Sequence, residues 1–192
     1  MSLSRVTFVI LAVGVCLNAC AVAEQASAPV VNNDFVQKAF GQNCVMIGMP
    51  AIQADFDGDH VMDIVIPARC KNPMMDQAEH DYQVIDPYNG FFGYGNPRIT
   101  TQFASEDPER RGFSLLVIHG FGTNAWYSAT PKAKFMIVNL PFKDIRVKML
   151  GNKKKKQHMA IYIEETGGDA QTSAVFWDGR KYRYVPMGST ME

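Results

Sequence analysis

Residues 55–66 read Asp55-Phe56-Asp57-Gly58-Asp59-His60-Val61-Met62-Asp63-Ile64-Val65-Ile66. Carboxylates fall at relative positions 1, 3, 5 and 9 of this stretch, with glycine at position 4. Carboxylates so close repel one another unless a cation or backbone N–H groups balance them. The short β-branched run Ile64-Val65-Ile66, ending at Pro67, reads as a buried strand. The chain must therefore hold a tight acidic turn against the start of a core strand. Alternate residues of such a turn can aim oxygens at one centre, and calcium takes six to eight of them. The candidate ligands are the side chains of Asp55, Asp57, Asp59 and Asp63 and the backbone carbonyl of Val61, at position 7.

The loop is not an EF-hand. Position 12 is Ile66 instead of a bidentate Glu, position 6 is His60 instead of Gly, and a strand follows instead of a helix. The pattern resembles the calcium loop of FG-GAP and VCBS-type repeats: Asp-Phe-Asn/Asp-Gly-Asp-Gly, two variable residues, Asp, then an apolar strand. Asp55, Phe56, Asp57, Gly58, Asp59 and Asp63 match it, and His60 departs from its second glycine. The resemblance implies a structural Ca2+ ion. In those families the repeats build propeller blades, but a single copy here cannot make a propeller. With the bidentate Glu missing, affinity belongs at the weak end, on the order of 10⁻⁴ to 10⁻³ M. The alternative is an acidic turn held by backbone hydrogen bonds alone.

The beginning of the chain reads as a targeting segment. Arg5 precedes a nearly all-apolar run from Val6 to Leu17, the layout of a secretory signal. Leu17-Asn18-Ala19-Cys20 resembles a bacterial lipoprotein signal covering residues 1–19. That resemblance implies lipidation at Cys20 and, with Ala21 next, an outer-membrane lipoprotein facing the periplasm. Cleavage after Ala23 is the alternative and implies a soluble periplasmic or secreted protein. Residues 20–32 read as a flexible tether, and 33–192 as one globular domain. Export fits the cysteines: Cys44 and Cys70 are the two left in the domain, and pairing them encloses the acidic loop. Two free buried thiols are the other reading.

Asn33 to Gln42 has helical spacing after an Asn cap. The rest is mostly strand: Val61–Pro67, Tyr82–Ile85, Phe113–His119, Lys134–Leu140, Ile145–Leu150, His158–Glu164, Ser173–Trp177 and Tyr182–Val185. Asp178-Gly179 joins the last two as a hairpin. The expected fold is α+β, a mainly antiparallel sheet with one N-terminal helix.

The remaining motifs are less specific. Leu115-Leu116-Val117-Ile118-His119-Gly120 looks like the oxyanion-hole turn of α/β-hydrolases, but no Gly-x-Ser-x-Gly elbow follows it. His60, His80, His119 and His158 show no zinc spacing. Residues 88–97 read as a glycine-broken aromatic loop. Its Tyr88, Phe91, Phe92 and Tyr94, with Trp126 and Tyr127 of a similar turn, are candidate partner contacts or rings folded over the sheet. Lys153–Lys156 reads as a solvated hairpin tip, or as a weak attraction to anionic lipid or cell-wall polymer. With 19 basic and 19 acidic residues, nothing suggests a nucleic-acid partner. The expectation is a non-enzymatic binding or structural protein of the bacterial cell envelope, joined to the membrane by its N-terminal lipid and to an unknown protein or envelope polymer. The alternatives are an inhibitor or immunity protein that blocks an enzyme and, less favoured, an esterase.

Overall fold

The computed structural model describes residues 27–93, 111–140, 142–151, 157–165 and 171–187. The signal segment, Cys20, Tyr94 and the lysine run lie outside the described residues. The chain order is α1 (Asn33–Phe40), β1 (Cys44–Met46), β2 (Ile52–Ala54), β3 (Asp63–Cys70), α2 (Gln77–His80), β4 (Gln83–Ile85), α3 (Pro87–Phe92), β5 (Phe113–His119), a 3₁₀ turn (Gly122–Tyr127), β6 (Ala133–Val138), β7 (Phe142–Leu150), β8 (His158–Glu165), β9 (Gln171–Trp177) and β10 (Tyr182–Pro186). The structure is mostly antiparallel strand with few helices, as the sequence indicates. It forms two sheets, however, and α2 and α3 join the N-terminal helix.

The first sheet runs β1-β3-β5-β6-β4, with β2 also paired to β3. Its β4–β6 pair is parallel. The second sheet is a meander, β10-β9-β8-β7. Strands β3, β5 and β6 are apolar at almost every position because both faces of their sheet are covered. Val65, Leu115, Val117, Phe135 and Ile137 pack against Ile161, Ile163 and Val175 of the second sheet. Ile64, Ile66, Leu116, Met136 and Val138 pack against Val36 and Phe40 of α1. The period-2 alternation of a strand sends neighbours to opposite layers, so the continuous apolar runs are explained without a parallel sheet.

Three sequence expectations change. Strand β3 does not end at Pro67 but continues to Cys70. On one edge β3 pairs β2 at residues 63–65 and β1 at residues 68–70, so the gap between them falls on Ile66 and Pro67. An unpaired edge position is where a missing N–H is tolerated. The aromatic stretch after Asp86 is not all loop. The Asp86 side chain caps α3 by accepting from Asn89 N–H at 2.9 Å, with Pro87 in the first turn. Asp86 and Pro87, directly after β4, thus start a helix. Finally, α1 stops at Phe40, where Gly41 takes φ +98° and lies so close to Asp76 that a Cβ would collide with it.

Cys44 and Cys70 form a disulfide directly across the β1–β3 ladder, closing the chain around the acidic loop. Their sequence separation of 26 corresponds to about 3.5 kcal/mol on the chain-entropy account. Cys44→Ala with Cys70→Ala should lower the unfolding free energy by about 2–4 kcal/mol in urea. Peptide mapping of the non-reduced parent should recover these two cysteines in one linked fragment. Recovery as free thiols would contradict the pairing.

Candidate metal loop and the buried polar chain beneath it

The loop joins β2 to β3, and its base is fixed first. Asp63 is fully buried at the start of β3. One carboxylate oxygen accepts from Phe56 N–H at 2.8 Å and the other from Gly120 N–H at 2.7 Å. Phe56 sits in the core between the sheets, so the loop enters and leaves over a packed ring and a bonded carboxylate. Burial pushes the Asp63 carboxyl up to about 7, against these two N–H groups, which favour its charged form.

Gly120 is required by close approach. A Cβ there would lie 2.4 Å from the Met62 carbonyl oxygen and 2.7 Å from the Ala125 carbonyl carbon. The His119-Gly120 step thus serves to bring the end of β5 against the acidic loop. Its N–H is given to Asp63. Next to it, Ala125 is held at φ 50°, ψ −133°, a region that side chains disfavour.

The tip is built on Asp55. Its oxygens accept from the N–H groups of Gly58 at 2.7 Å, Asp59 at 3.1 Å and His60 at 2.9 Å. His60 occupies the position of the second glycine by taking φ 69°, with its side chain in solvent. The turn is therefore kept, at a cost on the order of 1 kcal/mol.

Of the predicted ligand set, Asp55, Asp57 and Asp63 bring oxygens within 4.8 Å of one another. That spacing would let the three oxygens share one metal ion. Two oxygens each about 2.4 Å from one ion can lie no more than about 4.8 Å apart. Asp59 is not in this group; its Oδ2 is 2.7 Å from the Lys132 ammonium. Lys132 also reaches Asp57 Oδ2 at 2.6 Å. Desolvation pushes the Asp59 carboxyl up, but the hydrogen bonds from Lys132 and from Val61 N–H together outweigh it and hold the group below its usual range. Its bonds to Asp57 and Asp59 raise the Lys132 ammonium above its own.

Below Asp57 a polar chain enters the core. Asp57 Oδ2 is 3.5 Å from His119 Nδ1, and both side chains are almost fully buried. His119 Nε2 is 2.7 Å from the Tyr182 hydroxyl. Around this chain the His119 ring meets Phe135, Trp177 and Tyr182 edge-on or tilted. Burial drives His119 down to about 4, against the opposing pull of Asp57. At neutral pH the ring is uncharged, one nitrogen donating and the other accepting. Tyr182 is also raised, by burial first and then by Asp63 and Asp57. The chain thus ties the loop to β5 and to β10 of the second sheet.

Spacing alone does not tie His119, Tyr182 or Lys132 to the acidic loop. Period-2 alternation places His119 on the face of Leu115 and Val117, which is the available sign that it points between the sheets. Nothing local marks Lys132, which is 75 residues from Asp57. The proposed contact residues divide. Trp126 is buried against Phe35, with ring centroids 5.4 Å apart, and Tyr127 is half-buried beside it. They line a cavity of about 480 Å³ with Lys38 and Lys134. Phe91 and Phe92 are 51% and 48% exposed and cluster with Tyr88 and Tyr184.

No protein-family model, no curated protein and no solved structure matches this chain.

Two predictions test this geometry. Gly120→Ala should lower stability by about 2–4 kcal/mol in urea, because a methyl collides with backbone and the Asp63 bond is lost. A change under about 0.5 kcal/mol would contradict the close approach. The second concerns pH. Asp63, raised to about 7, contributes stability at low pH that is lost as pH rises through 7. His119, lowered to about 4, contributes stability above its unfolded value of 6.5 that is lost as pH falls through 4. The two oppose each other between about pH 4 and 7. In calcium-free buffer, His119→Gln should therefore gain stability relative to the parent as pH falls from 7 to 4.5, by on the order of 2 kcal/mol. Parallel curves for parent and variant would sink this account of His119.

Proposed function

We propose that this is an exported, lipid-anchored, single-domain α+β protein of the bacterial cell envelope, non-enzymatic, with a calcium-ordered loop. The observation that carries the calcium reading is the convergence of Asp55, Asp57 and Asp63 within 4.8 Å at the end of a core strand. Asp55, Asp57 and Asp63 would hold the ion, joined by Asp59 and the Val61 carbonyl. The ion would supply positive charge to crowded carboxylates and so favour the folded state by mass action. Lipid anchoring at Cys20 rests on the signal-like N-terminus.

The geometry favours a structural role over an esterase. Gly120 N–H is bonded to Asp63, and the His119 ring is buried, with neighbours at both nitrogens. An oxyanion hole needs a donor aimed at substrate. A second reading, an inhibitor or immunity protein, draws on the half-exposed Phe91 and Phe92 of α3, since aromatic clusters are common anchors of protein interfaces. Recovery of a stoichiometric enzyme with the parent but not with a Phe91→Ala, Phe92→Ala variant would favour it.

Thermal unfolding tests the calcium reading. With affinity on the order of 10⁻⁴ to 10⁻³ M, 10 mM calcium should raise the parent's Tm over that in chelator by roughly 3–10 °C. Asp55→Ala and Asp57→Ala should lose most of that rise. Identical melts of the parent in calcium and chelator would contradict the reading.

A further inference from the structure

We propose that Lys132 is a displaceable internal counter-ion, its ammonium competing with a divalent cation for Asp57 and Asp59, so that the loop passes between a lysine-closed and a metal-held state. The inference rests on the calcium reading and adds to it how occupancy is regulated.

The contact is specific. The ammonium lies 2.6 Å from Asp57 Oδ2 and 2.7 Å from Asp59 Oδ2, although Lys132 is 75 and 73 residues away from them in sequence. Asp57 is the nearly buried carboxylate of the tip, where an unbalanced charge is most costly. A cation is therefore needed there, and the lysine supplies it from within the fold.

The contact also accounts for a gap in the metal site. Asp59 stands at a ligand position by sequence, yet only Asp55, Asp57 and Asp63 converge. Asp59 is turned to Lys132 instead. Withdrawal of the ammonium would free Asp59 and unblock Asp57 together. A divalent ion could then bind four carboxylates where a monovalent ammonium holds two.

The placement allows such movement. The backbone of Lys132 is pinned, its N–H bonded to the His119 carbonyl at 3.0 Å just before β6. Its side chain is 45% exposed and runs along a flexible four-carbon stem. The ammonium can swing into water while the strand stays in place.

The test is calorimetric titration of Ca2+ into the full chain, disulfide intact and in detergent. It compares the parent with Lys132→Met, which keeps the stem without the charge, and Lys132→Arg, which keeps the charge. Loss of two charge-assisted bonds should tighten calcium binding by Lys132→Met roughly tenfold, with Lys132→Arg close to the parent. Binding by Lys132→Met but not by the parent would also support the competition, while refuting calcium occupancy in the native protein. Equal or weaker binding by Lys132→Met, where the parent binds, would overturn the inference and leave the calcium reading standing. No binding by any of the three would overturn both. Should Lys132→Met not fold, Lys132→Gln takes its place under the same criteria.

Discussion

The Asp63 carboxylate holds the architecture of the site together. It is fully buried, and its oxygens receive the N–H groups of Phe56 and Gly120. These bonds join the entry of the loop, the start of β3 and the end of β5. A buried carboxylate without partners would cost several kcal/mol, whereas charge-assisted bonds to backbone donors are among the stronger ones. The geometry is accordingly strict. Only glycine at position 120 lets the β5 end approach the Met62 carbonyl, and Phe56 must stay seated between the sheets for its N–H to face Asp63.

Charge at the loop is graded from outside to inside. Lys132 is half-exposed, Asp57 nearly buried, His119 buried and neutral, and the buried Tyr182 hydroxyl ends the series. Each group meets the next through a polar contact, so little charge goes unbalanced in the core. The same contacts link the loop to β10 of the second sheet. The disulfide ties β1 to the opposite end of β3, at Cys70, and so encloses the loop within one covalent ring.

Much of this arrangement is legible in the sequence. The β-branched runs of β3 and β5 announce core strands, and Asp178-Gly179 announces the β9–β10 hairpin, whose register is Trp177 opposite Tyr182. Asp55 to Asp63 announces an ordered acidic turn, and the even cysteine pair its bridge. What stays hidden is long-range or too short for periodicity. Strands β1 and β2 have three residues each and form only because β3 offers an edge. The approach of Lys132 to Asp57 follows from the packing of β6 beside β5, which no local pattern encodes. Gly120 looks like turn punctuation or a catalytic motif in sequence. In the fold its meaning is the absence of a side chain where backbones meet.

The base of the loop is locked by the protein itself, and the calcium reading concerns its tip. Amide hydrogen exchange with and without calcium tests both halves at once. The Phe56 and Gly120 amides should exchange as slowly as the central residues of β3 and β5 in either condition. The amides of Gly58, Asp59 and His60 should exchange faster in chelator and slow on addition of calcium. Rapid exchange at Phe56 and Gly120, or tip amides indifferent to calcium, would contradict this reading of the loop.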